Sequence, residues 1–263
     1  MMNNNLRQMS NLVLAPMMWL CSSLSFVVEG ANSPGGMSDP NANLLTPFGA
    51  AFSIWLPIFA LCIAYGIIQA LPKNRDHAVF RRIGWWSSAG FAGVCLWGVI
   101  NAFAPMQPFN WALLGTAIIF VPTMLLLVKA MLIATIEKEN LKGFEKIVTY
   151  FGLSLIAGWC SIAIFLNWTA QTVEMMTGAG LGIQLAHIII LVLALLWGVF
   201  IIFKSGGNKA YAFAIIWGLA FIIIRRLMTE PSYTAITIGA AIGIVVIVGA
   251  CLMKPNAKYS QIS

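Results

Sequence analysis

The chain has 263 residues, of which 60% are hydrophobic and only 9% charged, and its mean hydropathy is +0.88. A water-soluble domain keeps roughly a quarter of its residues charged to cover its surface, so a soluble globular fold is excluded and the chain is built for a bilayer. The formal net charge of +7 calls for no nucleic acid partner, because basic loops of a membrane protein face anionic lipid.

A helix that crosses the hydrocarbon needs about 20 mostly apolar residues. In chain order the stretches that qualify are approximately 11–28, 48–71, 83–104, 111–135, 147–169, 181–203, 210–228 and 233–253. The runs are continuously apolar rather than alternating, and backbone groups in lipid must bond within their own segment. The expected fold is therefore all-α, a polytopic transmembrane helical bundle of about eight spans in a single domain, residues 1–263. The first stretch, with Arg7 ahead of it, also fits a signal peptide cut near Ser25 or Gly30, which would leave seven spans. The cysteines Cys21, Cys62, Cys95, Cys160 and Cys251 each fall in a different span and form no CxxC, so they read as small apolar packing residues.

Loop charge sets the orientation. Lys73, Arg75, Arg81 and Arg82 lie in 72–82, Lys138, Lys142 and Lys146 in 136–146, and Lys204 and Lys209 between the sixth and seventh spans. The loops 29–47, 105–110 and 170–180 hold no Lys or Arg. Basic residues near span ends stay on the cytoplasmic side. The two basic loops and both termini are therefore expected in the cytoplasm, with 29–47 external, in a plasma or inner membrane. Lys138, Lys142 and Lys146 would share one basic face if their loop were helical. Arg225 and Arg226 end the seventh span on the external side, where they snorkel to headgroups, pair with Glu230, or meet something anionic.

Residues 46–59 read TPFGAAFSIWLPIF. On one helix Phe48, Phe52, Trp55 and Phe59 share a face. Pro47 suits the first turn, and Pro57 should remove an interior hydrogen bond and bend the helix. Trp55 would then lie about 10 Å below the external end of its span.

This segment resembles the TspO/MBR, or tryptophan-rich sensory protein, family. There a long loop ends in a proline-led segment carrying an aromatic, a tryptophan and a further aromatic, an order matched by Pro47, Phe52, Trp55 and Phe59. The similarity extends through LLTPFGAAFSIWLPIFALCIAYGIIQALP at 44–72 to LSLIAGWCSIAIFLNW at 153–168 and WGLAFIIIRR at 217–226, and is greatest to a longer, uncharacterised branch. Two differences stand out from the short, five-helix members: Thr46 replaces a second proline and Phe59 a tyrosine. The resemblance implies an integral membrane sensor or regulator whose ligand is a porphyrin or another flat amphipathic molecule.

Polar residues inside spans mark candidate sites. Gln184 and His187 stand at i, i+3 on the sixth span, with His187 about 9 Å deep. With Asn101, Asn167, Trp168, Arg225 and Arg226 at external span ends, polar and aromatic groups gather beneath the 29–47 loop. The candidate ligand-binding residues are thus Pro47, Phe52, Trp55, Phe59, Gln184, His187, Arg225 and Arg226. Aromatic faces would stack on the ligand and arginines would hold its carboxylate. The alternative for His187 and Gln184 is hydrogen bonding across helices that simply holds the bundle. Ala235, Gly239 and Gly243 give the last span a small-residue face, suited to internal packing or to a homodimer seam.

No catalytic residue is expected: HExxH, GxSxG, P-loop and GxGxxG motifs are missing, and the spans hold no paired carboxylates. With a single histidine within the spans, no metal site built from the protein alone is expected. The competing reading is a small-solute transporter, which prolines and glycines within spans would permit.

Overall fold

The computed structural model describes residues 2–32, 43–104, 111–228 and 233–253. Its helices are α1 (Met2–Ser22), α2 (Trp55–Ala70), α3 (Ala78–Phe103), α4 (Trp111–Ile136), the short α5 (Gly143–Lys146), α6 (Gly152–Gly178), α7 (Ile183–Lys204), α8 (Lys209–Met228) and α9 (Thr234–Leu252). Seven helical segments are long and apolar enough to cross a membrane, and the described residues contain no strand. The fold is the expected polytopic all-α bundle.

The helix α1 is not among those seven. It starts well before the expected 11–28 because its polar first half finds partners in the bundle. The buried Arg7 donates from Nη1 to the Phe80 carbonyl (2.7 Å) and Gln69 Oε1 (3.3 Å), and from Nη2 to the Arg75 carbonyl (2.8 Å). Gln8 and Gln69 donate to each other's main-chain carbonyls at 2.7 and 2.8 Å. Asn11 donates to the Gly84 carbonyl (2.7 Å) and accepts from the Ser87 hydroxyl (2.6 Å). Each buried polar group left unpaired would cost about 1–3 kcal/mol, so this network fixes α1 between α2 and α3. Glycines let the backbones close in: a Cβ on Gly66 would meet the Asn11 carbonyl oxygen at 2.9 Å, and one on Gly98 the Cys21 carbonyl oxygen at 3.1 Å.

Other boundaries move for a common reason: hydropathy marks where lipid begins, while hydrogen bonding marks where a helix stops. The helix α3 starts at Ala78, inside the expected 72–82 loop, and α6 runs to Gly178 through most of the expected 170–180 loop. In that polar end of α6, Thr172 and Thr177 hydroxyls bond to carbonyls one turn back at 2.8 and 2.9 Å. In the 136–146 loop, Leu141 and the extended Lys142 interrupt the helix, so the three lysines do not form one face. Lys146 instead pairs with Glu139 at 2.9 Å, and its hydrogen bond holds that carboxyl below the usual carboxylate range. Lys138 sits 5.7 Å from the Tyr150 ring centre.

The helix α6 is central, packed against α2, α4, α7 and α8. Gly158 faces the Tyr211 carbonyl of α8 with no room for a Cβ. The helix α9 lies on α7 and α8; its Gly239 and Gly243 fit against Leu191 and Leu195 of α7. That part of the small-residue face is an intramolecular seam, while Ala235 is exposed.

Candidate functional site

At the end away from the basic loops, residues 43–54 form a strap that leads into α2. Asn43 Oδ1 accepts from the Leu45 N–H at 2.9 Å, which starts the turn. Residues Gly49–Ile54 then form a 3-10 helix, and the α-helix starts only at Trp55. This corrects two expectations. Phe48 precedes the helix, in extended backbone, and is exposed, so it leaves the aromatic stripe. Pro57 falls in the first turn of α2, where the missing N–H has no regular α-helical partner to lose, so it does not bend the helix interior.

Four hydrogen bonds tie the strap to α7 and α8. The Leu44 N–H donates to His187 Nε2 (3.1 Å) and the Phe48 N–H to the Phe221 carbonyl (2.9 Å). Trp217 Nε1 donates to the Ala51 carbonyl (2.8 Å), and Arg225 Nη1 to the Pro47 carbonyl (3.1 Å). His187 is fully buried. Because an amide N–H can only donate, Nε2 carries the lone pair and Nδ1 carries the proton, which it gives to the Ile183 carbonyl at 2.7 Å. The ring is neutral and both its nitrogens are used. Gln184, three residues earlier, is exposed; the structure does not bring it to the His187 site.

Under the strap the remaining stripe residues meet rings from α3, α4 and α6. Trp55 stacks on Phe59 with centroids 5.0 Å apart and lies 6.4 Å from Trp97. Trp159 stands edge-on to both Trp55 (6.3 Å) and Phe52 (6.0 Å). Phe120 continues the cluster 5.4 Å from Trp97. Phe52 is half-buried, whereas Trp55, Phe59, Trp97, Trp159 and Phe120 are buried. Such pairs contribute about 0.5–1.5 kcal/mol each beyond area burial. Trp97 donates its N–H to Asn167 Oδ1 at 3.2 Å, but the Trp55 indole N–H is buried with no hydrogen-bond partner.

The three site components are therefore distinct. Phe52, Trp55 and Phe59 join one aromatic cluster; Pro47, His187 and Arg225 hold the strap over it. Arg226 is buried beside the strap anchors, with its guanidinium carbon 5.9 Å from the Tyr233 ring centre. The expected Glu230 partner, and the stretches 33–42 and 105–110 of the loops expected to be external, lie outside the described residues.

Sequence reasoning missed Trp97, Phe120 and Trp159 as members of the cluster. One signal pointed to two of them: Trp97–Gly98 and Gly158–Trp159 place a ring beside a notch where another helix comes close. Chemically, the aromatic cluster offers stacking surface and one unused donor, the Trp55 N–H. Among the described residues no three His, Cys, Asp or Glu side chains gather to hold a metal ion.

No curated protein and no solved structure matches the chain. The family model described as TSPO-like protein matches residues 8–253, and the chain belongs to that family.

Proposed function

We propose that this TSPO-like protein is an integral membrane sensor or regulator that binds a flat, amphipathic, porphyrin-like molecule among Phe52, Trp55, Phe59, Trp97 and Trp159. The observation that carries the reading is the buried Trp55 N–H without a partner. Trp97, Trp168, Trp197 and Trp217 each give theirs to an oxygen, and an unpaired buried donor costs about 1–3 kcal/mol. A conjugated ring stacked on the indole and carrying a flexible acceptor arm, such as a propionate bent into the indole plane, would satisfy Nε1 as well. To admit it, the half-buried Phe52 and the strap must shift, so Pro47, His187 and Arg225 serve as anchors of the roof. We place the basic loops and both termini on the cytoplasmic side, which puts the aromatic cluster in the outer half of the bundle. No catalytic step is assigned.

The test is a titration with a dicarboxylic porphyrin, followed by the porphyrin's own absorbance so that loss of an indole does not disturb the readout. Trp55→Phe keeps a ring but removes the donor and should weaken binding about fivefold. Trp55→Ala also removes stacking and should weaken it about tenfold further. Unchanged affinity in Trp55→Ala would exclude this site. A small-solute transporter is the weaker reading, because repeat-built transporters break corresponding helices in two halves. Pro57 lies in the first turn of α2, whereas Pro122 is inside α4, so the two are not equivalent breaks. Net solute uptake into proteoliposomes would favour the transporter.

A further inference from the structure

Among the described residues, the buried polar atoms without a hydrogen-bond partner belong mostly to side chains with one such atom each; Arg226 has two, Nε and Nη2. These two nitrogens are not scattered over the guanidinium. They form one edge, with their N–H bonds directed side by side in the fork that receives two oxygens of one anion. Arg226 is only 2% exposed, and no ion pair of the described residues involves it. Arg7 provides the internal contrast: both of its terminal nitrogens are engaged by oxygens.

The surroundings add to the argument. Arg225 places a second positive charge next in sequence, already committed through Nη1 to the Pro47 carbonyl. His187, within electrostatic reach of Arg226, is neutral and has both nitrogens occupied. Neither neighbour can therefore neutralise the guanidinium. The carbonyl end of α8 offsets some of the charge through its dipole, because both arginines lie in the helix's last turn. The dipole cannot occupy two directed donors. A last turn also lies at the edge of the hydrocarbon, at the depth of lipid phosphates.

We propose that Arg226 is an oxyanion site, in which its Nε–Nη2 edge holds a phosphate group, supplied by a lipid headgroup or free in solution, at the end of the bundle away from the basic loops. Tyr233, half-buried at the start of α9, lies beside the site with its ring centre 5.9 Å from the guanidinium carbon. The site is independent of the porphyrin-like ligand: it uses a different side chain and remains if the aromatic cluster binds nothing.

The test uses the full chain, stripped of lipid in phosphate-free maltoside micelles, and compares its melting temperature with that of Arg226→Met and Arg226→Lys. Without phosphate, Arg226→Met should melt higher than the wild type, because it removes an unpaired buried charge. Saturating phosphate groups should raise the wild type by roughly 5–10 °C at a hundredfold excess over Kd, leave Arg226→Met unmoved, and raise Arg226→Lys less, since lysine keeps the charge without the fork. A rise with micelles doped with phosphatidylglycerol or phosphatidylcholine, but not with inorganic phosphate, assigns the group to a headgroup; a rise with inorganic phosphate as well assigns it to the free ion. The proposal is overturned by equal rises in wild type and Arg226→Met, or by no rise in any arm. A rise that appears only after Glu230→Gln also overturns it, by giving the fork to that carboxylate. Should Arg226→Met fail to fold, the wild type against Arg226→Lys decides.

Discussion

At the scale of single residues, the polar side chains of this bundle divide by what their donors meet. Arg7 stands in the polar half of a helix that hydropathy alone would shorten, and its role is mechanical. It collects the carbonyls of Arg75 and Phe80 where the α2–α3 connection turns back. Arg7→Met leaves those buried acceptors unpaired and should lower stability by about 3 kcal/mol or more, read as an earlier thermal transition in detergent. Arg7→Lys should recover only part, because one ammonium cannot reproduce the planar spread of the guanidinium. None of this was legible from the sequence, where Arg7 reads as a charge ahead of a span. His187 shows the reverse case. Its polar type and depth made it a ligand candidate, but a strap distant in sequence uses it as an acceptor, and no local pattern announces a contact between residues 44 and 187.

At the scale of elements, the type of the helices and the seven apolar segments able to cross followed from apolar run length, whereas the helix ends and the nature of α1 did not. Phe52, Trp55 and Phe59 do meet in one aromatic cluster, although Phe52 lies in the 3-10 segment rather than on α2. The expected inclusion of Phe48 failed because a 3-10 turn, with three residues per turn, precedes α2 and changes the angular step. Helix proximity was legible only in part, through glycine beside tryptophan at Trp97–Gly98, Gly158–Trp159, Trp197–Gly198 and Trp217–Gly218. On a helix, neighbours point about 100° apart, so each pair sets a bulky ring beside a notch. Gly158 is the tightest notch against main chain. Gly158→Ala forces α6 away from the Tyr211 carbonyl and should cost about 2 kcal/mol. Gly218→Ala should cost less, because the nearest atom, 2.9 Å from the added Cβ, is the movable tip of Ile162. Chemical or thermal denaturation of the two variants side by side checks the order; equal losses would remove main-chain crowding as the cause.

At the scale of the whole molecule, composition alone was enough to require a membrane, and the distribution of lysine and arginine was enough to orient the bundle on paper. An impermeant maleimide tests that orientation. In a cysteine-free background, Glu29→Cys and Lys142→Cys place single thiols on exposed positions beyond opposite ends of the bundle. Glu29→Cys should react in intact cells and Lys142→Cys only after permeabilisation. Reaction of both from one side would discard the assigned topology and, with it, the placement of the aromatic cluster in the outer half.

The Arg7 network has a further consequence for how the chain is made. Synthesis delivers α1 before α2 and α3, and the acceptors of Arg7 lie 62 to 73 residues downstream, on α2, in the α2–α3 connection and at the start of α3. Until the ribosome has released that stretch, α1 has neither the apolarity of the seven candidate spans nor partners for its buried cation. Its final docking must therefore wait for the hairpin that follows it.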